Sequence, residues 1–264
     1  MTSSKPLVSV IIATYNGLNT ISDAVDSILR QTYKNIEIIV VNDCSTDATG
    51  AVLDRYLIND DIVVVENEVN IGLARSLNKG VSVSNGYYIA RMDDDDLSYS
   101  DRIEEQVNYL MSNSDIDILG ASVRFITQDC RSIREYRPPE SDIEIKKALC
   151  YSNPIIHPTV MMTKNYFDLC GGYSEKLRRK EDLDFWGRAA KTARFHNLQK
   201  VLVGHRVKNS KTLTAVPVGV YVRLLNGIRL RCFFKAFLWS IAYVVIELMR
   251  HFGYMQKKFR MKKK

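Results

Sequence analysis

The chain has 264 residues, of which 46% are hydrophobic and 25% are charged. This size and composition are typical of one large folded domain with an appendage, and they exclude a mostly disordered chain. The net charge of +7 is uneven, because the residues after position 217 hold eleven Lys and Arg against one Glu, a charge of +10 that leaves −3 for residues 1–217. A basic, aromatic-rich end on an acidic body favours contact with an anionic membrane surface, and we expect no nucleic-acid partner.

The cysteines give an expectation about the compartment. There are five, Cys44, Cys130, Cys150, Cys170 and Cys232, and no two of them form a Cys-x-x-Cys pair. An odd number without paired spacing predicts reduced thiols in the cytoplasm rather than a disulfide framework or a zinc site. The first residues are polar, so we also expect no signal peptide.

Apolar, β-branched runs in the first half predict strands, and the segments between them predict helices. We expect strands at residues 8–13, 36–41, 62–66 and 87–92, and helices at residues 20–31, 46–57 and 74–83. This alternation predicts right-handed βαβ crossovers on a mainly parallel sheet, with the ligand site at the carboxyl ends of the strands. No Gly-x-Gly-x-x-Gly sequence follows the first strand, which argues against a nicotinamide enzyme.

The fourth strand runs directly into four carboxylates, Asp93 to Asp96. Adjacent carboxylates beside a buried strand repel one another, so we expect a cation there. Hard oxygen ligands at a strand end suit Mg²⁺ or Mn²⁺. The alternative is a solvated acidic turn, or a helix N-terminus whose dipole holds the charge.

The second half continues the mixture of helices and strands. Helices are expected at residues 101–111, 143–149 and 180–192, and strands at residues 116–125, 160–162 and 201–203.

Five ordered motifs carry a resemblance to a known family. They read VSVIIATYNG, VNDCSTDATG, NIGLARSLNKG, GYYIARMDDDDLSYSDRI and KEDLDFWGRAA. Together, over about residues 6–208, they resemble the family 2 inverting glycosyltransferases of GT-A fold. The resemblance implies an α/β domain over residues 1–215, with a Rossmann-like nucleotide-sugar half (about 6–100) and an acceptor half (about 101–215). Residues 216–264 would then form a C-terminal amphipathic helical tail.

The same resemblance implies a nucleotide site. Thr14, Tyr15 and Asn16 would line the nucleotide, and Asp43 would accept a hydrogen bond from the uracil N3–H of a UDP-sugar. For Asp43 the alternative is a helix-capping turn residue. Asn70 and Gly72 would shape the loop beside the base.

In the acidic cluster, the resemblance implies that Asp95 ligates Mn²⁺ or Mg²⁺ and that Asp93 is its partner near the ribose and diphosphate. Asp94 would support the nucleotide-sugar and Asp96 the metal. A divalent ion stabilises a leaving diphosphate without needing a proton. The register within four identical residues is left open.

An acceptor hydroxyl must lose its proton as it attacks, which calls for a positioned carboxylate as general base. We expect Asp182 in this role, with Glu181 as the alternative, although either could simply favour the start of a helix. Attack opposite the diphosphate inverts the anomeric carbon. His157 and Trp186 are candidates for acceptor binding, against structural and core roles respectively.

Two positions depart from the family pattern. Asn42 stands where the family usually has a second Asp, and Lys208 stands where relatives often carry a histidine that completes the metal site. A protonated lysine cannot ligate a metal, so we expect Lys208 to contact the diphosphate as a point charge.

The tail contains an apolar run at residues 236–246 with basic residues on both sides. As a helix this run would span about 16 Å, roughly half the hydrocarbon core of a bilayer. We therefore expect a monotopic element at the membrane interface, with a C-terminal helix buried on the domain as the alternative.

Together with the tail, the resemblance implies a hexosyltransferase at the cytoplasmic face of the inner membrane. Within the family, the size and basic tail are similar to those of enzymes that move glucose or galactose from a UDP-sugar to GlcNAc-diphospho-undecaprenol in β-1,3 linkage. The resemblance therefore implies a reaction of this kind, on a lipid-linked sugar, during O-antigen or other surface polysaccharide synthesis. The alternatives are a polyprenyl-phosphate sugar synthase and a non-catalytic UDP-binding scaffold at the membrane.

Overall fold

The structure, a computed structural model, describes residues 5–207 and 216–262. In these ranges nine strands form a single mixed sheet that is flanked by helices. The strands are β1 (Val8–Thr14), β2 (Ile36–Asn42), β3 (Ile62–Glu66), β4 (Tyr88–Asp93), β5 (Leu97–Ser98), β6 (Ile118–Ile126), β7 (Ser132–Tyr136), β8 (Met161–Thr163) and β9 (Phe195–Arg206). The helices are α1 (Ile21–Leu29), α2 (Thr49–Leu53), α3 (Leu73–Ser82), α4 (Arg102–Ser112), α5 (Asp142–Leu149), α6 (Lys164–Leu169), α7 (Glu181–Ala189), α8 (Val216–Arg229) and α9 (Phe233–Lys262), with 3₁₀ turns at Asp54–Tyr56 and His157–Thr159.

The sheet has the order β3-β2-β1-β4-β8-β6-β9-β5, and β7 pairs with β6 outside this path. The first four strands in this order are parallel, as the alternation of strands and helices predicts. Strand β8 is antiparallel to both of its neighbours, whereas β6 and β9 run parallel to each other. Strands from both predicted halves thus belong to one sheet.

Helices cover both faces of the sheet because the central strands are apolar on both sides. In β1, Ile11 packs in one cluster with residues of α3 and α7, while Val10 and Ile12 pack in a second cluster with residues of α1 and α4. This follows from the two-residue period of a strand. A sheet buried on both faces reads as a continuous hydrophobic run, which is why β1 and β2 are visible in the sequence.

The second half differs from expectation in its details. Strands β5 and β7 and helix α6 were not predicted, and β9 is 12 residues long where only residues 201–203 were expected. The first part of β9 contains polar residues that hide the strand pattern. One of them, Asn197, is fully buried and donates from Nδ2 to the carbonyl oxygens of Pro139 (2.6 Å) and Pro154 (3.1 Å).

The expectation that all five thiols are reduced is wrong for one pair. Cys150, at the end of α5, and Cys232, in the turn between α8 and α9, form a disulfide across 82 residues of sequence. Cys44, Cys130 and Cys170 are free. Sequence spacing could not reveal this bond, because the packing of the C-terminal helices on the domain brings the two residues together.

Helix α8 is attached to α7. Val222 is buried in the core, the Nδ2 of Asn226 donates to the carbonyl of Leu183 (3.0 Å), and Arg229 pairs with Asp184 (2.9 Å). The predicted boundary at residues 215–216 adjoins residues 208–215, which lie outside the described ranges, so it stays a prediction.

Helix α9 is longer than the predicted run of residues 236–246, and many of its large apolar side chains are exposed. Across the described ranges, none of the helices combines the length and apolar character that a membrane crossing needs.

Candidate active site

The polar residues that follow the parallel strands meet at one edge of the sheet, as the sequence predicts. Thr14 is in register with Asn42 on β2, and Ala13 is in register with Asp93 on β4. The acidic cluster at the end of β4 therefore lies directly beside the loop that follows β1.

The described contacts of these aspartates involve residues of three strands, β1, β4 and β9. Thr14 donates from Oγ1 to Asp94 (2.7 Å), and Arg91 pairs with Asp93. Asp96 is fully buried, where it accepts the backbone N–H of Arg206 (2.8 Å) and lies 2.8 Å from the Nδ1 of His205. The cluster is thus a connection between β1, β4 and β9 and not a loose acidic turn.

Buried cations of the chain supply part of the positive charge that the aspartates require. Burial by itself would raise the pKa of Asp93, but the adjacent guanidinium of Arg91 outweighs this and holds that pKa well below its ordinary value. Arg91 is held in turn by Arg102, which is fully buried and donates to its carbonyl oxygen (2.7 Å). Burial raises the pKa of Asp96, whereas the hydrogen bond to Asp96 raises the pKa of His205 against the opposing effect of burial.

Three of these groups could hold a metal ion together. Among the described residues, Asp93, Asp96 and His205 each offer a ligand atom within 4.8 Å of the others. Two carboxylates and an imidazole suit a divalent cation, so the residues fit the predicted metal site. His205 was not predicted as a ligand, although a signal lay close by: the expected metal-completing histidine was placed at Lys208, three residues after His205. Asp95, the predicted principal ligand, is buried beside this group, and Lys208 lies outside the described residues.

A cavity of about 360 Å³ opens beside the cluster. Of the residues predicted to bind the nucleotide-sugar or the metal, it is lined by Tyr15, Asn16, Asp93, Asp94 and Asp95. Asn16 has a left-handed backbone (φ 56°), and its Oδ1 accepts the N–H of Thr46 (2.8 Å), which fixes this loop. The next residue must be small, because a Cβ on Gly17 would lie 2.3 Å from the Oγ1 of Thr14.

Asp43 organises the loop after β3. It is 4% exposed, and its carboxylate accepts the backbone N–H groups of Ile71 and Gly72 (2.8 Å each) and the Nδ2 of Asn67 (2.9 Å). Asn70 donates to its carbonyl oxygen (3.3 Å). These bonds give Asp43 a clear structural role. Oδ2 carries one of the three described bonds and retains capacity to accept another, so the uracil contact stays a prediction.

The two candidate bases open α7 in different environments. Glu181 is 6% exposed, and burial, followed by the charge of Asp182, raises its pKa to about 7. Asp182 is half-buried, with Oδ2 accepting from the Nδ2 of Asn153 (2.5 Å) and Oδ1 accepting from the N–H of Leu183 (2.7 Å). Because the carboxylate that abstracts the acceptor proton must reach the acceptor, the lower burial of Asp182 favours it as the base.

The two predicted acceptor residues are buried. Trp186 is fully buried and packs against His157 with the rings edge to face. The Nε2 of His157 is 2.8 Å from the hydroxyl of Tyr173, and burial holds its pKa well below the ordinary value. These positions favour the core role for Trp186 and the structural role for His157. Stacking of a sugar on Trp186 is not possible in this arrangement, because neither indole face is open.

Comparisons with known proteins agree with this fold. The sequence model described as glycosyl transferase family 2 matches residues 9–170. An uncharacterized glycosyltransferase of Methanocaldococcus jannaschii is 34% identical over 210 residues, covering 78% of this chain and 72% of the relative. The O-antigen biosynthesis glycosyltransferase WbnJ of Escherichia coli is 32% identical over 217 residues, covering 78% and 82% of the two chains.

Solved structures of S. aureus TarS share the fold. The structure of TarS residues 1–349 in complex with UDP-GlcNAc superposes with a TM-score of 0.71 at 20% identity, covering 94% of this chain and 73% of that one. Against a longer TarS chain the present chain spans 43% of its length, with a TM-score of 0.68. The matched family model and the curated relatives show that this chain belongs to glycosyl transferase family 2 and is a glycosyltransferase of GT-A fold.

Proposed function

We propose that the protein transfers a hexose, glucose or galactose, from a UDP-sugar to a lipid-diphosphate-linked sugar during O-antigen or other surface polysaccharide synthesis. The observation that carries this proposal is the group formed by Asp93, Asp96 and His205 beside a cavity lined by Tyr15 and Asn16. TarS has been solved with UDP and with UDP-GlcNAc, and WbnJ is named for O-antigen biosynthesis, which supports this donor class and pathway. We propose GlcNAc-diphospho-undecaprenol as the acceptor and a β-1,3 linkage.

In this reaction Asp182 accepts the proton of the acceptor hydroxyl as the oxygen attacks the anomeric carbon. Asn153 holds the carboxylate through its Nδ2 (2.5 Å). Attack on the face opposite the diphosphate inverts the anomeric configuration. Asp93, Asp96 and His205, with Asp95 beside them, would hold Mn²⁺ or Mg²⁺, which when bound stabilises the negative charge on the departing diphosphate.

We further propose that α9 docks on the cytoplasmic face of the inner membrane. Phe234 is 74% exposed and Met249 is 69% exposed, and the residues after position 217 carry a charge of +10. Exposed apolar side chains between basic residues match the chemistry of an anionic lipid surface. Docking there would place the enzyme beside a lipid-linked acceptor.

The test is an assay of the purified protein with Mn²⁺ or Mg²⁺, a panel of UDP- and GDP-sugars, and a GlcNAc-diphosphate-lipid analogue. Transfer of one hexose from a UDP-sugar, abolished in the Asp182→Asn variant, is the expected result. Transfer to a polyprenyl phosphate instead would identify the polyprenyl-phosphate synthase. UDP binding without turnover on any acceptor would identify the scaffold, and the absence of UDP binding would contradict the donor assignment.

A further inference from the structure

The segment immediately before the candidate base is strongly cationic. Residues 174–180, here called the cationic loop, read SEKLRRK and hold four Lys or Arg against one Glu. They stand out because residues 1–217 as a whole carry −3. A local positive region on an acidic surface indicates an anionic ligand.

The cationic loop forms one wall of a cavity of about 740 Å³. The opposite wall is the loop after β3 and the first residues of α3, including Asn70 and Gly72, while Lys176, Arg178 and Arg179 line the near side. Leu73 lines both this cavity and the 360 Å³ cavity beside the acidic cluster. The two cavities are therefore neighbours.

A further cavity, of about 630 Å³, lies on the other side of Lys176 and Leu177. It reaches helix α8, where Tyr221 and Leu225 supply an apolar lining. The cationic loop therefore lies between the active site and the C-terminal helices.

Hydrogen bonds to Tyr173 hold the start of the cationic loop. Glu175, the one acidic residue of the loop, forms an ion pair. Asn78 of α3 accepts the N–H of Tyr173 at Oδ1 and donates to its carbonyl oxygen from Nδ2, both at 2.9 Å. Glu175 pairs with Arg75 of α3 (3.3 Å), and both residues also line the 740 Å³ cavity, so an additional cation offsets this acid there. The loop ends at Lys180, which has a left-handed backbone (φ 64°) and leads directly into α7.

We propose that the cationic loop binds the phosphate groups of the lipid-linked acceptor, an inference that rests on the proposed function. That reaction brings two diphosphates to the site, one on the donor and one on the acceptor. The acidic cluster with its cation would bind the diphosphate of the donor. The acceptor's diphosphate needs its own cations within one sugar ring of the base. Arg179 precedes Asp182 by three residues, at most about 10 Å of extended chain. Guanidinium and ammonium groups recognise phosphate through charge-assisted hydrogen bonds.

The experiment compares two acceptors that carry the same lipid, one GlcNAc-diphosphate-lipid and one neutral GlcNAc glycoside without phosphate. The variant is K176A/R178A. We expect its KM for the diphosphate acceptor to rise about tenfold or more, because charge-assisted hydrogen bonds are lost. We also expect the KM for the UDP-sugar, the kcat, and the KM for the neutral acceptor to change less than about twofold, since the donor site and base are intact.

Two control variants accompany it. K176R/R178K keeps the charges and should retain the preference for the diphosphate acceptor. R194A removes an exposed arginine that pairs with Asp115. Arg194 immediately precedes β9, at the edge of the sheet opposite the site, so this variant should behave as wild type. An unchanged acceptor preference in K176A/R178A would overturn the proposal, as would an equal loss with both acceptors, or a rise in the KM for the UDP-sugar alone.

Direct binding separates this proposal from the proposed function. GlcNAc-diphosphate-lipid in detergent micelles, without donor or metal, is titrated into the full-length wild type and K176A/R178A. Binding by the wild type that is lost in the variant supports the loop site even where no hexose transfer is detected. Equal affinity for both proteins, or binding by neither, contradicts it.

Discussion

Asn153 determines how the candidate base presents its carboxylate. Its Nδ2 donates to Asp182 at 2.5 Å, and its Oδ1 is buried without a hydrogen-bond partner among the described residues. A buried amide with one unsatisfied oxygen is costly unless its other contact is needed. We infer that Asn153 is a positioning residue for Asp182.

The Asn153→Ala variant should lower kcat about 10- to 100-fold and leave the KM for the UDP-sugar nearly unchanged, because misplacing a catalytic group by about 1 Å costs this much. Steady-state kinetics measures both constants. The double variant N153A/D182N should be no slower than D182N alone, since a positioning residue acts only through the base it holds. Additive losses would show that Asn153 has a separate role.

Glu181 makes stability depend on pH in a predictable direction. Its pKa is about 7 in the folded protein, against an ordinary value of 4.5. The folded state therefore holds the proton more tightly than the unfolded state, so the stabilisation is complete below about pH 4.5 and is lost as the pH rises through about 7.

Relative to the Glu181→Gln variant, the wild type should lose up to about 3 kcal/mol of unfolding free energy between pH 4.5 and pH 8. Urea denaturation at several pH values measures this difference. The Glu68→Gln variant, at an exposed position, controls for the loss of one negative charge. A constant difference between wild type and E181Q across this range would contradict the raised pKa.

His205 provides a test of the metal site. The His205→Ala variant should weaken Mn²⁺ binding at least about tenfold, because even the outer hydrogen-bond partners of metal ligands contribute this much. Calorimetric titration of Mn²⁺ measures the affinity without any need for turnover. The His196→Ala variant is the matched control, since His196 stacks on Tyr109 and lies outside the cluster. Equal affinities in wild type and H205A would exclude His205 as a ligand.

The helices at the end of the domain meet at a glycine. A Cβ on Gly187 of α7 would lie 1.8 Å from the Oδ1 of Asn226 on α8. The Gly187→Ala variant should therefore lower the free energy of unfolding by about 1–3 kcal/mol through overpacking, despite the better helix propensity of alanine. Chemical denaturation provides the measurement.

In the Gly50→Ala control, the new Cβ meets no atom closer than 3.8 Å. This helical position should show no loss, or a gain of about 0.4–1 kcal/mol. If G187A is as stable as G50A, the described contact between α7 and α8 is not maintained in solution.

Sequence patterns identified some elements and missed others for physical reasons. Strands β1 to β4 are apolar on both faces, so their runs and the helices between them are visible along the chain. Strand β5 is too short to show a period, and β7 has four exposed residues out of five. For the site, motif residues such as Asp93 and Asp182 could be located in advance. His205 was missed because the expected histidine was placed three residues later, at Lys208. Asn153 could not be located in advance, because long-range packing alone brings it to the base.

At the scale of the whole molecule, charge and exposed apolar surface are gathered at the C-terminal end. The F234E/M249E variant removes two exposed apolar side chains from α9 and adds negative charge. We expect its affinity for vesicles containing anionic phospholipid to fall about tenfold or more, because each buried apolar side chain of this size contributes about 1.5–3 kcal/mol.

Co-sedimentation of the full chain with vesicles measures this binding. The Ile58→Glu variant changes a side chain that is 90% exposed on the body of the domain and should bind like the wild type. Equal binding by F234E/M249E would contradict docking through α9.

The bond between Asn226 and Leu183 joins the helix that carries the base to the helix that leads into α9. A protein docked through α9 therefore holds its base at a set height above the lipid headgroups. The distance between the acceptor sugar and the bilayer then determines which acceptors can reach the base. Acceptors with a shorter or longer polar spacer should therefore react more slowly at vesicles but not in detergent.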